Sequence, residues 1–253
     1  MAILPLFVIS KLRLIEGKSY RLSYEFVNQK SEILKKLHLF SRKHSLSTVY
    51  YDWIHLMAFT FSNSCDKHNY EERENQYLHT ISKYTGEAHI FAEYFGLLII
   101  AFENKHTDWL GEIYMELQLN STKSGQVFTP CHVAKLMAEL AFHSNEPQLI
   151  QQNYLSYYEP CCGTGALIIA LSEVMVKKKY NFQKQLIVHC EDIDENCLLM
   201  CYVQLSILGI KPICKVKNNL CEKPESSVWK TPFYQFKCLK RRYYLKLIQR
   251  SSL

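Results

Sequence analysis

Residues 159–165 read Glu-Pro-Cys-Cys-Gly-Thr-Gly and carry two of the eight glycines of this 253-residue chain, Gly163 and Gly165. They stand between an apolar strand pattern and an apolar helix pattern. A glycine turn at such a junction lets the backbone approach a ligand closely and directs helix N–H groups towards it. The G-x-G spacing has no third glycine two residues later, which departs from the usual dinucleotide fingerprint. The alternative interpretation is a tight turn that only packs a helix on a strand.

A second chemical signal is the acidic pair Glu191-Asp192, which ends the next apolar segment about thirty residues after the glycines. An acid at the end of the second strand of such a unit can accept hydrogen bonds from both ribose hydroxyls of a nucleotide. The alternative for Asp192 is a solvated strand end. Together, the glycine turn and the acid predict a nucleoside-containing cofactor.

The elements that must position these residues alternate between strand and helix. Strand patterns cover residues 154–160, 185–192 and 211–217, and helix patterns cover residues 165–176 and 195–208. Asp194 is a good N-cap for the second helix, and Gly209 suits its C-terminal end. This β-α-β-α-β order predicts a parallel, right-handed, doubly wound sheet.

The chain before residue 120 is predicted to be mainly helical, with helices in residues 20–40, 47–63, 76–103 and 107–119. A further helix follows, for which Thr129 is the predicted N-cap and Pro130 the first helical residue. Its apolar positions have helical spacing and predict a buried face. They are Val133, Leu136, Met137, Leu140 and Ala141. We therefore expect a helical N-terminal region (1–120), a core with the cofactor site (121–222) and a basic tail (223–253).

The net charge of +6 is concentrated at the C-terminal end, because no acidic residue follows Glu225. Seven basic residues lie after it: Lys230, Lys237, Lys240, Arg241, Arg242, Lys246 and Arg250. The rest of the chain is close to neutral, so the charge indicates at most a basic arm rather than a nucleic-acid-binding face over the whole protein.

The ten cysteines show no C-x-x-C spacing, and neither Cys131-His132 nor His189-Cys190 has zinc-ligand spacing. We therefore expect reduced thiols, mostly buried, in a cytoplasmic protein, and no metal. The apolar run at residues 95–102 is far shorter than the roughly 18 residues that a membrane helix needs. The N-terminal segment lacks the basic start and the small-residue cleavage pattern of a signal peptide.

Two motifs carry a family resemblance. Residues 159–166, Glu-Pro-Cys-Cys-Gly-Thr-Gly-Ala, are similar to the D-P-A-C-G-T-G-G signature of adenine-specific (N6) DNA methyltransferases, the class that includes the modification subunits of type I restriction systems. Residues 125–130, Gly-Gln-Val-Phe-Thr-Pro, resemble the G-x-F-(F/Y)-T-P segment that precedes this signature in the same family. The resemblance extends over roughly residues 107–220 and looks most like small mobile-element members. It implies a Rossmann-like α/β core with an incomplete parallel sheet that binds S-adenosyl-L-methionine.

The resemblance also implies roles for individual residues. Phe128, Thr129 and Pro130 would lie along the cofactor. Glu159 would meet the methionine amino group, Asp192 the ribose hydroxyls and Ile193 the adenine ring. Asn219 would sit near the adenine amino group. The backbone cradle would consist of Pro160, Cys161, Cys162, Gly163, Thr164 and Gly165.

The family's (Asn/Asp)-Pro-Pro-aromatic loop, which binds the target amine and stacks on a flipped base, does not occur in this sequence. The nearest segment is Thr-Pro-Phe-Tyr at 231–234, which makes Thr231, Pro232 and Tyr234 the catalytic candidates; the alternative is a simple turn. The implied function is adenine methylation of DNA in a restriction-modification system, with DNA and a specificity or other subunit as partners. Two alternatives stay open: a cofactor-binding accessory protein without methyl transfer, and a methyltransferase that acts on RNA or protein.

Overall fold

The computed structural model describes residues 29–40, 43–119, 128–221 and 227–235. The helices are α1 (Gln29–Phe40), α2 (Leu46–Asn63), α3 (Tyr70–Ser82), α4 (His89–Asn104), α5 (Trp109–Glu116), α6 (Cys131–Gln152), α7 (Ala166–Lys177), α8 (Phe182–Gln185) and α9 (Glu195–Leu208). The strands are β1 (Leu155–Glu159), β2 (Leu186–Asp192), β3 (Lys211–Val216) and β4 (Ser227–Lys230). The fold is therefore α/β with a mainly helical N-terminal region, as the sequence predicts.

The four strands form one sheet in the order β1-β2-β3-β4. β1, β2 and β3 are parallel, and the register pairs Glu159 with Cys190 and Asp192 with Val216. The carboxyl ends of these strands therefore lie at the same edge of the sheet. Spatial order follows chain order, so the described strands contain no reversal of direction across the sheet.

The antiparallel strand β4 has no counterpart among the predicted strands, because its neighbourhood reads as polar. Trp229 explains why it forms: only 3% of its surface is exposed, and its ring packs against Tyr202 and Phe59. The guanidinium of Arg73 lies 3.8 Å from the centre of the same ring, and it also donates to the Val228 carbonyl at 2.9 Å. Tertiary packing thus stabilises a strand that has little local signal.

The N-terminal helices share a continuous hydrophobic core with the sheet. α2 packs on α9, and α9 packs on β2 and β3. The hydroxyl of Tyr50 donates to the Leu110 carbonyl at 2.7 Å, and His55 is hydrogen-bonded to Asn196 at 3.1 Å. The predicted region boundaries at 120/121 and 222/223 lie outside the described residues, as does most of the predicted basic tail.

Helix α6 differs from its prediction in two respects. It begins at Cys131 with Pro130 as the capping residue, one position later than predicted from Thr129. The apolar face that the spacing predicts to be buried is largely exposed, with Leu136 62% and Leu140 63% accessible. The buried residues are instead Ala134, Ala138, Phe142 and Leu149. This face, which combines two small alanines with Phe142 and Leu149, packs against α7 and β1.

The two predicted ends of α9 are confirmed. Asp194 accepts hydrogen bonds from the Asn196 and Cys197 amides at 2.8 and 3.3 Å, which caps α9. Gly209 ends that helix with φ +72°. The described cysteines form no disulfide. No helix in the described ranges is long and apolar enough to cross a membrane.

Candidate cofactor site

The turn between β1 and α7 is hydrogen-bonded to the backbone of β2. The Cys162 amide donates to the Glu191 carbonyl at 2.9 Å, and the Gly165 amide donates to the Cys162 carbonyl at 2.8 Å. Gly163 and Gly165 have φ of +50° and +94°, values that glycine adopts without strain. The turn therefore presents its backbone at the start of α7, where N–H groups can bind an anionic or polar ligand.

Asp192 joins the end of β2 to this turn. Its Oδ2 accepts the Gly163 amide at 2.8 Å, and its Oδ1 accepts the Asp194 amide at 2.9 Å. A carboxylate has about four acceptor positions, so two amides leave capacity for further donors such as ribose hydroxyls. The next residue, Ile193, is 67% exposed and offers an apolar surface at the same strand end.

Phe128 lies beside the glycine turn. A Cβ atom built on Gly163 would be 3.6 and 3.7 Å from two atoms of the Phe128 ring, which is ordinary van der Waals contact. The Phe128 ring also packs on Tyr114 of α5, with centroids 5.1 Å apart. Thr129 is half-buried and Pro130 is exposed, while residues 125–127 of the same motif lie outside the described residues.

Two acidic side chains at the ends of β1 and β2 have different surroundings. Glu159 is half-buried and accepts the Tyr157 hydroxyl at 3.0 Å. Burial raises the pKa of Glu159 above its ordinary value, despite that hydrogen bond. Glu191 is buried, accepts the Tyr158 hydroxyl at 2.8 Å and lies 3.6 Å from the Lys217 ammonium. Among the described ion pairs, Glu191 has a cationic partner and Glu159 has none. The Glu159 carboxylate is therefore suited to bind a cationic group of a ligand.

Asn219 also reaches this edge, since its side-chain nitrogen donates to the Pro160 carbonyl at 2.5 Å. Cys161 is exposed, whereas Cys162 is 7% exposed and turns into the core. Of the cradle residues, Thr164 is also buried. The structure thus brings the sequence-predicted cofactor residues of the turn, β2 and residue 219 to one edge of the sheet, with Phe128 beside Gly163.

One structural feature of the glycine turn was not found from the sequence. Asp108, the N-cap of α5, accepts hydrogen bonds from the Gly111 amide at 2.9 Å and from the Gln204 amide group at 2.8 Å, and from the Thr164 hydroxyl. Gln204 in turn donates to the Thr164 carbonyl at 2.8 Å and accepts the Leu110 amide at 3.1 Å. This polar network ties the glycine turn to both α5 and α9. The capping pattern Asp-x-x-Gly at 108–111 was the available local signal, but it does not reveal the long-range partners.

The catalytic candidates lie elsewhere. β4 is antiparallel to β3, so its end lies next to Ile213, towards the edge where the parallel strands begin. Thr231 is fully buried, and its hydroxyl donates to the Ile210 carbonyl at 2.9 Å. Pro232 is buried and Tyr234 half-buried beyond it. The direction of β4 and the Thr231 hydrogen bond thus favour a position towards the edge opposite the glycine turn, and a catalytic role for these residues stays a prediction.

Comparisons with known proteins identify the family of the chain. No curated protein matches the chain. A crystal structure of a candidate class I S-adenosylmethionine-dependent methyltransferase from Listeria monocytogenes is similar at 15% sequence identity and a TM-score of 0.40, over 74% of this chain and 52% of that chain. This chain thus spans about half the length of that protein. The model of the family described as N-6 DNA methylase matches residues 105–232, just over half of the chain. The chain belongs to the N-6 DNA methylase family.

Proposed function

We propose that this chain binds S-adenosylmethionine at the glycine turn and serves the methylation of adenine N6 in DNA. The observation that carries the proposal is the placement of Asp192, whose carboxylate is fixed by the Gly163 and Asp194 amides directly beside the turn. The family membership supports adenine in DNA as the target.

The donor and acceptor set fits an adenosyl amino acid. Asp192 would accept the ribose hydroxyls, and the exposed side chain of Ile193 would flank the adenine. Glu159 would accept a hydrogen bond from the cationic amino group of the methionine. That positive charge would favour the ionised form of Glu159 and oppose the effect of burial on its pKa. Gly163 would allow close approach of the turn, and Phe128 would cover the ligand from the side of α5.

Bound S-adenosylmethionine would supply an electrophilic methyl group on its sulfonium. The contribution of this chain would be to hold and orient that group, because alignment of the reactants accounts for much of such a rate enhancement. Asn219 lies at the same edge and would sit near the amino group of the cofactor's adenine. DNA would be the substrate, and a specificity or other restriction-modification subunit would be the partner.

A second function, cofactor binding without methyl transfer, is favoured by one observation. The only candidate for the base-binding loop, at 231–234, lies towards the opposite edge of the sheet. Under this alternative the chain would act as an accessory subunit. Methyl transfer by this chain would instead need groups from outside the described residues or from a partner.

The test is transfer of a radioactive methyl group from S-adenosylmethionine to DNA, with RNA and protein as parallel substrates. We expect labelled N6-methyladenine in DNA, and loss of label in Asp192→Ala and Gly163→Val. Cofactor binding without label in any substrate supports the accessory function. Label in RNA or protein alone contradicts the DNA proposal, and absence of cofactor binding contradicts both functions.

A further inference from the structure

Four thiols from four different elements meet beneath the glycine turn. They belong to Cys162 in the turn, Cys190 in β2, Cys201 in α9 and Cys214 in β3. The sulfur atoms of Cys162, Cys190 and Cys201 all lie within 4.8 Å of one another. The sulfur of Cys214 lies 3.1 Å from that of Cys190. We call these four residues the thiol cluster.

The backbone holds the thiol cluster in place. Cys190 and Cys214 are partners in the parallel register of β2 and β3, so their side chains share one face of the sheet. The Cys162 amide is bonded to the Glu191 carbonyl, which fixes the turn over β2. Cys201 approaches from α9 so closely that a Cβ atom on Gly165 would be 2.9 Å from its sulfur. The arrangement is therefore set by the fold rather than by flexible side chains.

We propose that the thiol cluster binds a single zinc ion. Zinc–sulfur bonds of about 2.3 Å in tetrahedral geometry place the sulfur atoms roughly 3.8 Å apart. The sulfur atoms of Cys162, Cys190 and Cys201 already lie within 4.8 Å of one another, which is close to that spacing. Cys214 contacts Cys190 and would have to rotate towards the other two sulfur atoms to become the fourth ligand. A donor set made only of sulfur selects zinc or copper(I) over magnesium, calcium and manganese. An ion here would join the turn, two strands and α9 directly below the proposed cofactor site.

Two other states of these thiols are chemically distinct from the zinc site. Cysteine is often buried as a small apolar residue, in which case the four thiols stay protonated. Zinc binding must therefore displace the thiol protons of its ligands. Alternatively, Cys190 and Cys214 could be oxidised to a disulfide, which would remove two ligands.

The experiment is a titration of the reduced, chelator-treated full chain with cobalt(II) as a spectroscopic probe, followed by displacement with zinc(II). We expect one ion per chain, a thiolate-to-cobalt absorption band that zinc abolishes, and protection of four thiols from a thiol reagent. We also expect a higher melting temperature with zinc, since a ligand that binds only the native state stabilises it. Absence of the cobalt–thiolate band in the wild type overturns the proposal, without any need for a variant.

Variants locate the ion. Cys190→Ala is expected to lose the band, whereas Cys197→Ala is the matched control, a buried thiol on α9 outside the thiol cluster that should keep it. Equal binding in both variants overturns the assignment to the thiol cluster. Binding of copper(I) without zinc overturns the choice of metal. A parallel sample that is not reduced tests for the disulfide: two fewer reactive thiols than in the reduced chain would identify it and would also overturn the proposal.

Discussion

Replacement of Asp108 tests whether the glycine turn is held by the network that joins α5, α7 and α9. In Asp108→Ala, three donors lose their acceptor: the Gly111 amide, the Thr164 hydroxyl and the side-chain amide of Gln204, all on buried residues. Each buried donor left unsatisfied costs about 1–3 kcal/mol, so the free energy of unfolding should fall by at least about 3 kcal/mol. Asp108→Asn keeps the shape and one acceptor oxygen, and the Thr164 hydroxyl can turn to accept from the new amide. The free energy of unfolding should therefore fall far less in Asp108→Asn than in Asp108→Ala.

The pH dependence separates the two variants further. Burial raises the pKa of Asp108 above its ordinary value of 3.8, so the folded state holds this proton more tightly than the unfolded chain does. The wild type thus has its full stability contribution from this group below about pH 4 and loses it as the pH rises through the folded-state pKa. The amide that replaces the carboxyl group does not titrate. The free energy of unfolding of Asp108→Asn minus that of the wild type should therefore increase between about pH 4 and the folded-state pKa of Asp108, and stay constant at higher pH. Urea denaturation at a series of pH values measures this difference.

Equal losses of stability in Asp108→Ala and Asp108→Asn, or a relative stability of the Asn variant that does not change with pH, would refute this account of the network. A loss in the Ala variant far below about 3 kcal/mol would show that water replaces the carboxylate.

Three further predictions concern the neighbourhood of the turn. Gly163→Ala should lower the free energy of unfolding by about 1–2 kcal/mol, because residue 163 has a positive φ. Gly165→Ala should lower it by about 1–3 kcal/mol more, because the added methyl group would lie 2.9 Å from the Cys201 sulfur. Denaturation with urea compares the two variants. Phe128→Ala should weaken S-adenosylmethionine binding by about tenfold, which corresponds to about 1.4 kcal/mol of aromatic contact, as measured by calorimetry. Tyr234→Phe should leave that affinity unchanged, and a marked loss would contradict the position assigned to residues 231–234.

Local signals predicted much of the fold. The caps of α9 at Asp194 and Gly209 depend on neighbouring residues only, so their side-chain and backbone preferences suffice. The alternation of strand and helix patterns predicted the three parallel strands, and the order of two motifs predicted that Phe128 lies near Gly163. Binding of a cofactor by these residues stays a prediction.

Features that depend on distant residues were missed. The buried face of α6 was assigned to Leu136 and its apolar neighbours, but the buried residues are Ala134, Ala138, Phe142 and Leu149. β4 depends on the packing of Trp229 against partners far away in the chain. The network around Asp108 and the thiol cluster likewise join residues whose spacing in the sequence carries no motif. In each case tertiary contacts, rather than local preference, decide the outcome.

Calorimetric titration of S-adenosylmethionine into the wild type, Asp192→Ala and Gly163→Val tests the central claim most directly. We predict saturable binding to the wild type and a loss of affinity of roughly tenfold or more in each variant, while circular dichroism confirms that both remain folded. Unchanged affinity in both folded variants, or no binding to the wild type, would contradict a cofactor site at the glycine turn.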